Sequence, residues 1–176
     1  MQTKEPISLE GYDHIVGEFK YLLETEKPKV AHEKLTAAAL GDRSENADYQ
    51  AAKEKLRHID KRLFYLNNMI RKAHIIDPSS FEHLRVSFGS SVKIEEIDTG
   101  KEEIFTLCGV VEAEPENGLI SIHSPLAKSM IGKAIGAEFI LRLPNGKKEY
   151  EIIEIFYKNI FSLKKNIRTK KDFAFH

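Results

Sequence analysis

Seven apolar positions, Tyr49, Ala52, Leu56, Ile59, Leu63, Leu66 and Ile70, follow one another at alternating steps of three and four. A helix turns once in about 3.6 residues, so this spacing holds them all on one narrow stripe, the pattern of a coiled-coil seam. Lys, Arg, Glu and Asp fill the positions between them. The pattern predicts a helix from about Glu45 to His74, and so narrow a stripe needs a partner helix to cover it. The preceding segment offers one with a weaker seam. Val16, Leu23, Val30 and Ala37 fall seven apart, while the companion series Tyr12, Phe19, Glu26, Glu33 and Leu40 is apolar only near its ends. Pro28 removes a backbone donor inside this first arm and is expected to bend it. The link around Gly41 is too short for anything but an antiparallel turn. Some thirty residues per arm at about 1.5 Å each make a pole roughly 45 Å long.

Helical spacing stops at Asp77-Pro78-Ser79-Ser80, a run of breakers. Beyond it, Ser91–Ile97, Glu103–Val111 and Leu119–Ile122 are short β-rich runs. Pro144-Asn145-Gly146 separates Phe139–Leu143 from Lys148–Tyr157 as a hairpin turn does. A short helix is expected at Pro125–Ile131, with Phe105, Val110, Ile120, Ile140 and Ile153 as core members. The fold class is therefore α+β: a coiled-coil hairpin over residues 1–77, a small, mainly antiparallel β domain with a short helix over 78–158, and a basic tail over 159–176.

Lys+Arg and Asp+Glu both number 27, so the formal net charge is zero. Residues 1–77 carry 13 basic and 13 acidic side chains, residues 78–158 carry 9 and 13, and residues 159–176 carry 5 and 1. A neutral chain has no general grip on nucleic acid, so any such contact must come from a local patch. Cys108 is the only cysteine, and no Cys/His group has zinc-site spacing. Neither a signal peptide nor a run near the ~20 apolar residues of a membrane span occurs, so a cytoplasmic protein is expected. The histidines do not recur at metal-ligand intervals, and nothing in the spacing of Ser124, Cys108 and the histidines builds a nucleophile with its base.

The turn of the hairpin reads Gly41-Asp42-Arg43-Ser44-Glu45-Asn46-Ala47-Asp48-Tyr49, three carboxylates at the far end of a pole. Asp42-x-x-Glu45 fits a helix capping box, so a cap and a functional role are both open on these residues alone. Farther along the helix, Lys53, Arg57 and Lys61 recur every four residues away from the seam, with Arg62 adjoining. A solvated face and a phosphate-binding stripe are equally compatible with that spacing.

The stretch Gly41 to Lys53 resembles the tip signature of the bacterial transcription elongation factors GreA and GreB. The likeness runs from Leu9 to Tyr157 and includes Lys27-Pro28, Ser124-Pro125-Leu126-Ala127-Lys128 and Ile131-Gly132-Lys133. The wording Asp42 to Tyr49 leans towards GreB, and Ala51-Ala52-Lys53 with Leu126-Ala127-Lys128 towards GreA, which leaves the subtype open. The resemblance implies a second domain of FKBP-like fold that docks on bacterial RNA polymerase, and a hairpin that enters the polymerase's secondary channel. It implies that Asp42 and Glu45, the matches to the family's two tip carboxylates, help hold a Mg²⁺ shared with the polymerase while that enzyme cuts its own backtracked transcript. By the same likeness Lys53, with Arg57 and Lys61, meets the nascent RNA 3′ segment. Asp48 ranks below the acidic pair, and Tyr49, which begins the seam, is expected to pack. The chain is expected to act as a monomer, with no membrane partner, no stably bound cofactor and no nuclease activity of its own. A channel-blocking inhibitor of the same fold and an FKBP-like peptide isomerase are the rivals; the presence of Asp42 and Glu45 disfavours the first, and fold alone does not import the second activity.

Overall fold

The computed structural model describes residues 4–39 and 46–163. They form two compact units.

The first unit is Tyr12–Ala73. Its second arm, α3 (Ala47–Lys72), is one unbroken helix of 26 residues. Ala52, Ile59, Leu63 and Leu66 are buried and Tyr49, Leu56 and Ile70 half-buried, so the seam lies where the spacing puts it. Arg71 and Lys72 close the helix, cations at the end where its dipole is negative. The first arm is less regular: α1 (Leu9–Tyr21), a π turn (Leu22–Glu26) and α2 (Lys27–Ala38). A π turn holds one residue more than an α turn, and this shifts the buried register by one on the N-terminal side. Ile15 and Leu22 face inwards at 2% and 7% exposure, not the expected Val16 and Leu23, and Leu23 is 43% exposed. Pro28 stands in the first turn of α2, one residue past the π turn. Its missing N–H and its ring cannot join a regular α turn, and the wider turn absorbs both.

The second unit combines the described parts of Thr3–Gly11 and His74–Ile167. The N-terminal strand β1 (Glu5–Ile7) pairs with β2 (Ala73–Ile75), so these residues fold with this unit, where a division at 77 would put them with the hairpin. Glu112 holds them there. Only 1% exposed, its carboxylate accepts from the Gly109 N–H at 2.9 Å, the Ser8 N–H at 3.3 Å and the Ser8 hydroxyl. The Ser8 hydroxyl oxygen accepts in turn from the Gly11 N–H at 3.0 Å. Glycine is required at 109, where a Cβ would stand 2.5 Å from the Pro6 carbonyl.

The main sheet comprises β3 (Ser90–Glu96), β4 (Lys101–Cys108), β5 (Leu119–Ser121), β6 (Glu138–Leu143) and β7 (Gly146–Tyr157) in the order β5-β4-β3-β7-β6. All neighbours are antiparallel except β4 and β5, which run parallel. Helix α4 (Pro125–Met130) is capped by Ser124, whose hydroxyl accepts from the Ala127 N–H at 3.2 Å. Val92, Ile94, Leu107, Ile120, Ala127, Met130, Phe139, Tyr150 and Ile152 form the core. Of the expected members, Ile120 is buried, Phe105 packs at the margin and Ile153 is half-buried, but Val110 and Ile140 are 40% and 52% exposed. Phe139 pairs with Tyr150 on the core side, which turns its neighbour Ile140, opposite Glu149, to the other face. Val110 lies beyond the end of β4, in the turn leading to Glu112.

Past β7 the chain is not featureless as far as Leu163. Ile160–Leu163 is a short helix, α5, and Ile160, 2% exposed, packs with Cys108 and Leu119. The expected tail is thus a packed segment at its start; residues 164–176 lie outside the described residues. Among the described residues no helix is long and apolar enough to cross a membrane.

Candidate functional site

The outer end of the hairpin is organised by Asn46. Its Oδ1 accepts from the Tyr49 N–H at 3.0 Å, which caps α3, and its Nδ2 donates to the Ala37 carbonyl at 2.7 Å, one of the last acceptors of α2. One side chain therefore finishes both helices. Helix α3 itself starts at Ala47, and its cap is Asn46. Asp42 and Glu45 lie outside the described residues, 40–45 being the interval between the two arms.

Asp48 sits in the first turn of α3 and is exposed, where a negative charge complements the helix dipole; that structural role accounts for it. Tyr49 is half-buried, with the Lys34 ammonium 5.6 Å from its ring centroid. It lines a groove with Ala31, Leu35, Ala38 and Leu56.

Lys53, Arg57 and Lys61 are all exposed on α3, on the side away from the seam. Arg57 lies 3.6 Å from the Glu54 carboxylate, an exposed pair that binds the arginine weakly and leaves it available to an anion. Arg62 is not a member of this stripe. Its guanidinium donates twice to Glu18 of α1, at 2.7 and 2.8 Å. That contact raises the Arg62 pKa above its ordinary value.

A second buried carboxylate in the first arm, Glu26, is 2% exposed and lies 2.7 Å from the Lys55 ammonium, with the Tyr21 hydroxyl donating to its other oxygen at 3.2 Å. Burial pushes its carboxyl up, but the adjacent Lys55 ammonium and the Tyr21 hydroxyl outweigh burial and hold it below the usual carboxylate range. Lys55 is raised in return, by its close contact with the Glu26 carboxylate. In the sequence alone Glu26 reads as a gap in a weak seam. The available signal was its acidic position among apolar ones, opposite an arm rich in lysine and arginine.

The comparisons with known proteins agree along most of the chain. A family profile described as "Transcription elongation factor, N-terminal" matches residues 5–75, and "Transcription elongation factor, GreA/GreB, C-term" matches residues 82–157. The protein named transcription elongation factor GreA of Helicobacter pylori (strain ATCC 700392 / 26695) is 47% identical over 158 residues, which span 90% of this chain and 96% of that one. Its namesake in Helicobacter hepaticus is 47% identical over 156 residues, 89% of this chain and 96% of that one. A solved structure, GreA factor homolog 1 of Thermus thermophilus, aligns over 87% of this chain and 99% of its own at 22% identity and a TM-score of 0.42. This chain belongs to the GreA/GreB family of transcription elongation factors.

Proposed function

We propose that the chain is a transcript-cleavage factor: it binds bacterial RNA polymerase, passes its hairpin through the secondary channel and brings Asp42 and Glu45 to the catalytic centre of a backtracked complex. The observation that most supports this is the cap of α3. Because Asn46 satisfies the helix start and the end of α2 together, the acidic pair just before it is not needed as a capping box. A pair of packed helices has no interior cavity for catalysis, so chemistry carried by it acts at its end, on a substrate held by another protein. Two carboxylates are hard oxygen donors that suit Mg²⁺, but they are fewer than the roughly six it takes, so the ion would be shared with the polymerase. When bound there, Mg²⁺ would activate water and neutralise charge gathering on the scissile phosphate.

Lys53, Arg57 and Lys61 then contact phosphates of the extruded RNA 3′ segment without reading its sequence. The second unit docks at the channel rim. The chain acts as a cytoplasmic monomer and cuts no RNA alone. The names of its relatives favour the GreA subtype. Incubation with stalled, backtracked polymerase complexes tests this: short 3′ RNA fragments should appear only with polymerase, Mg²⁺ and the chain together. Fragments from the chain without polymerase, or suppression of the polymerase's own slow cleavage, would overturn it.

A further inference from the structure

The first arm contains one residue more than a regular seam needs. Its buried positions are Ile15, Glu18, Leu22, Glu26, Val30 and Ala37, and the steps between 18 and 30 are all fours, where a seam alternates threes and fours. The π turn holds the surplus, closing on a bond from the Lys27 N–H to the Leu22 carbonyl five residues back. With one residue removed from that turn, the steps become three, four, three, four and seven, a regular heptad. In an unbroken α helix the surplus residue would swing one side of the arm about 100° away from α3; the π turn prevents this.

Apolar contacts alone leave such a turn free to migrate along the arm, because neighbouring registers bury similar surface. Buried carboxylates held by cations from the other arm do not. Glu18 with Arg62 stands on one side of the turn, Glu26 with Lys55 at its other end, and Pro28 immediately beyond. Moving the surplus residue past either carboxylate would strand a buried charge, which is strongly unfavourable.

We propose that Glu26 and Lys55 are positioning residues that pin the π turn and so fix the axial register of the two arms, which sets the reach of the hairpin's end. The functional consequence rests on the cleavage role proposed above; the structural part does not. A slip of one residue moves one arm about 1.5 Å along the other, and an error of about an ångström in reacting groups can cost about 10²-fold in rate. Loss of the pin should therefore lower the maximal rate and spare affinity.

The test uses the full chain. Glu26→Met with Lys55→Met replaces the pair by apolar side chains, a change that often maintains or raises stability. This variant should unfold at or above the parental temperature, yet its cleavage rate at saturating protein should fall by about tenfold or more, with half-saturation within about twofold of the parent. The exchange Glu26→Lys with Lys55→Glu should recover most of the rate. A stable double-methionine variant that cleaves at the parental rate overturns the proposal, as does an exchange variant that folds but recovers nothing. A separate arm needs no polymerase. In a Pro28→Ala background, deletion of Leu23 should preserve cooperative unfolding within a few degrees, whereas deletion of Lys61 from α3, which has no surplus residue, should collapse the hairpin. Equal collapse of both overturns the register insert even if the parent stimulates no cleavage; absence of parental cleavage alone overturns only the function it rests on.

Discussion

Asn46 separates two roles that the sequence leaves superimposed on Asp42 and Glu45. Since the cap belongs to Asn46, Asn46→Ala should cost about 1 kcal/mol of stability and further loosen the join to Ala37, read as a lowered unfolding temperature. Asp42→Ala or Glu45→Ala should leave that temperature unchanged. Each should slow stimulated RNA cleavage by at least about tenfold, the scale of losing a group that stabilises developing charge, while polymerase binding holds. A fall in unfolding temperature matching that of Asn46→Ala, with cleavage intact, would return the pair to a capping role.

The two arms meet through an apolar seam interrupted by buried carboxylates, and this makes the stability of the hairpin depend on pH. Burial opposes the charge of Glu26, Lys55, Tyr21 and Lys29 together outweigh it, and the net effect is a lowered folded-state pKa. Its contribution is therefore present above the ordinary carboxylate value of about 4.3 and lost as pH falls through the lower folded value. Lys55, raised, contributes below about pH 10.4 and loses its share only as pH rises through the still higher folded value. Thermal unfolding should show the parent's advantage over Glu26→Gln as a plateau near neutral pH that shrinks toward zero in acid. A pH-independent gap would mean that the carboxylate's charge contributes nothing. The exposed stripe of α3 behaves differently, because its charges face water. Lys53→Glu with Arg57→Glu should barely move stability but should weaken action on complexes with long extruded RNA, most at low salt. Equal activity at every extrusion length would identify the stripe as solvated surface.

Division of the chain into two units places Glu5–Gly11 with the sheet and the short helix that follows it. β1 pairs beside β2, Glu112 ties Ser8 to the sheet unit, and α5 closes over Cys108 and Leu119. The packed part of the chain therefore extends past Lys158 to at least Leu163. Truncation after Leu163 should leave the unfolding temperature unchanged and raise the protein concentration needed for cleavage, by salt-dependent loss of basic charge. Truncation after Lys158 should also destabilise the sheet unit by about 1.5–3 kcal/mol, the scale of burying one isoleucine. Two truncations of equal stability would show that Ile160 adds no packing.

Local periodicity determined most of the elements. The seam from Tyr49 to Ile70, the strands around Val92 and Ile152 and the helix after Ser124 were legible because spacing, caps and turn residues act within a few positions of the chain. The family signature made Asp42, Glu45 and the Lys53 stripe candidates. Tertiary packing decided which face each element turns inwards. Leu22 displaces Leu23 because a π turn inserts a residue ahead of Pro28, and Ile140 faces outward because Phe139 meets Tyr150. Glu26 becomes a buried, paired charge only because Lys55 comes to it from the other arm. A one-residue change of register leaves composition and spacing almost untouched but exchanges the buried face for the exposed one, and only the partner surface selects between them.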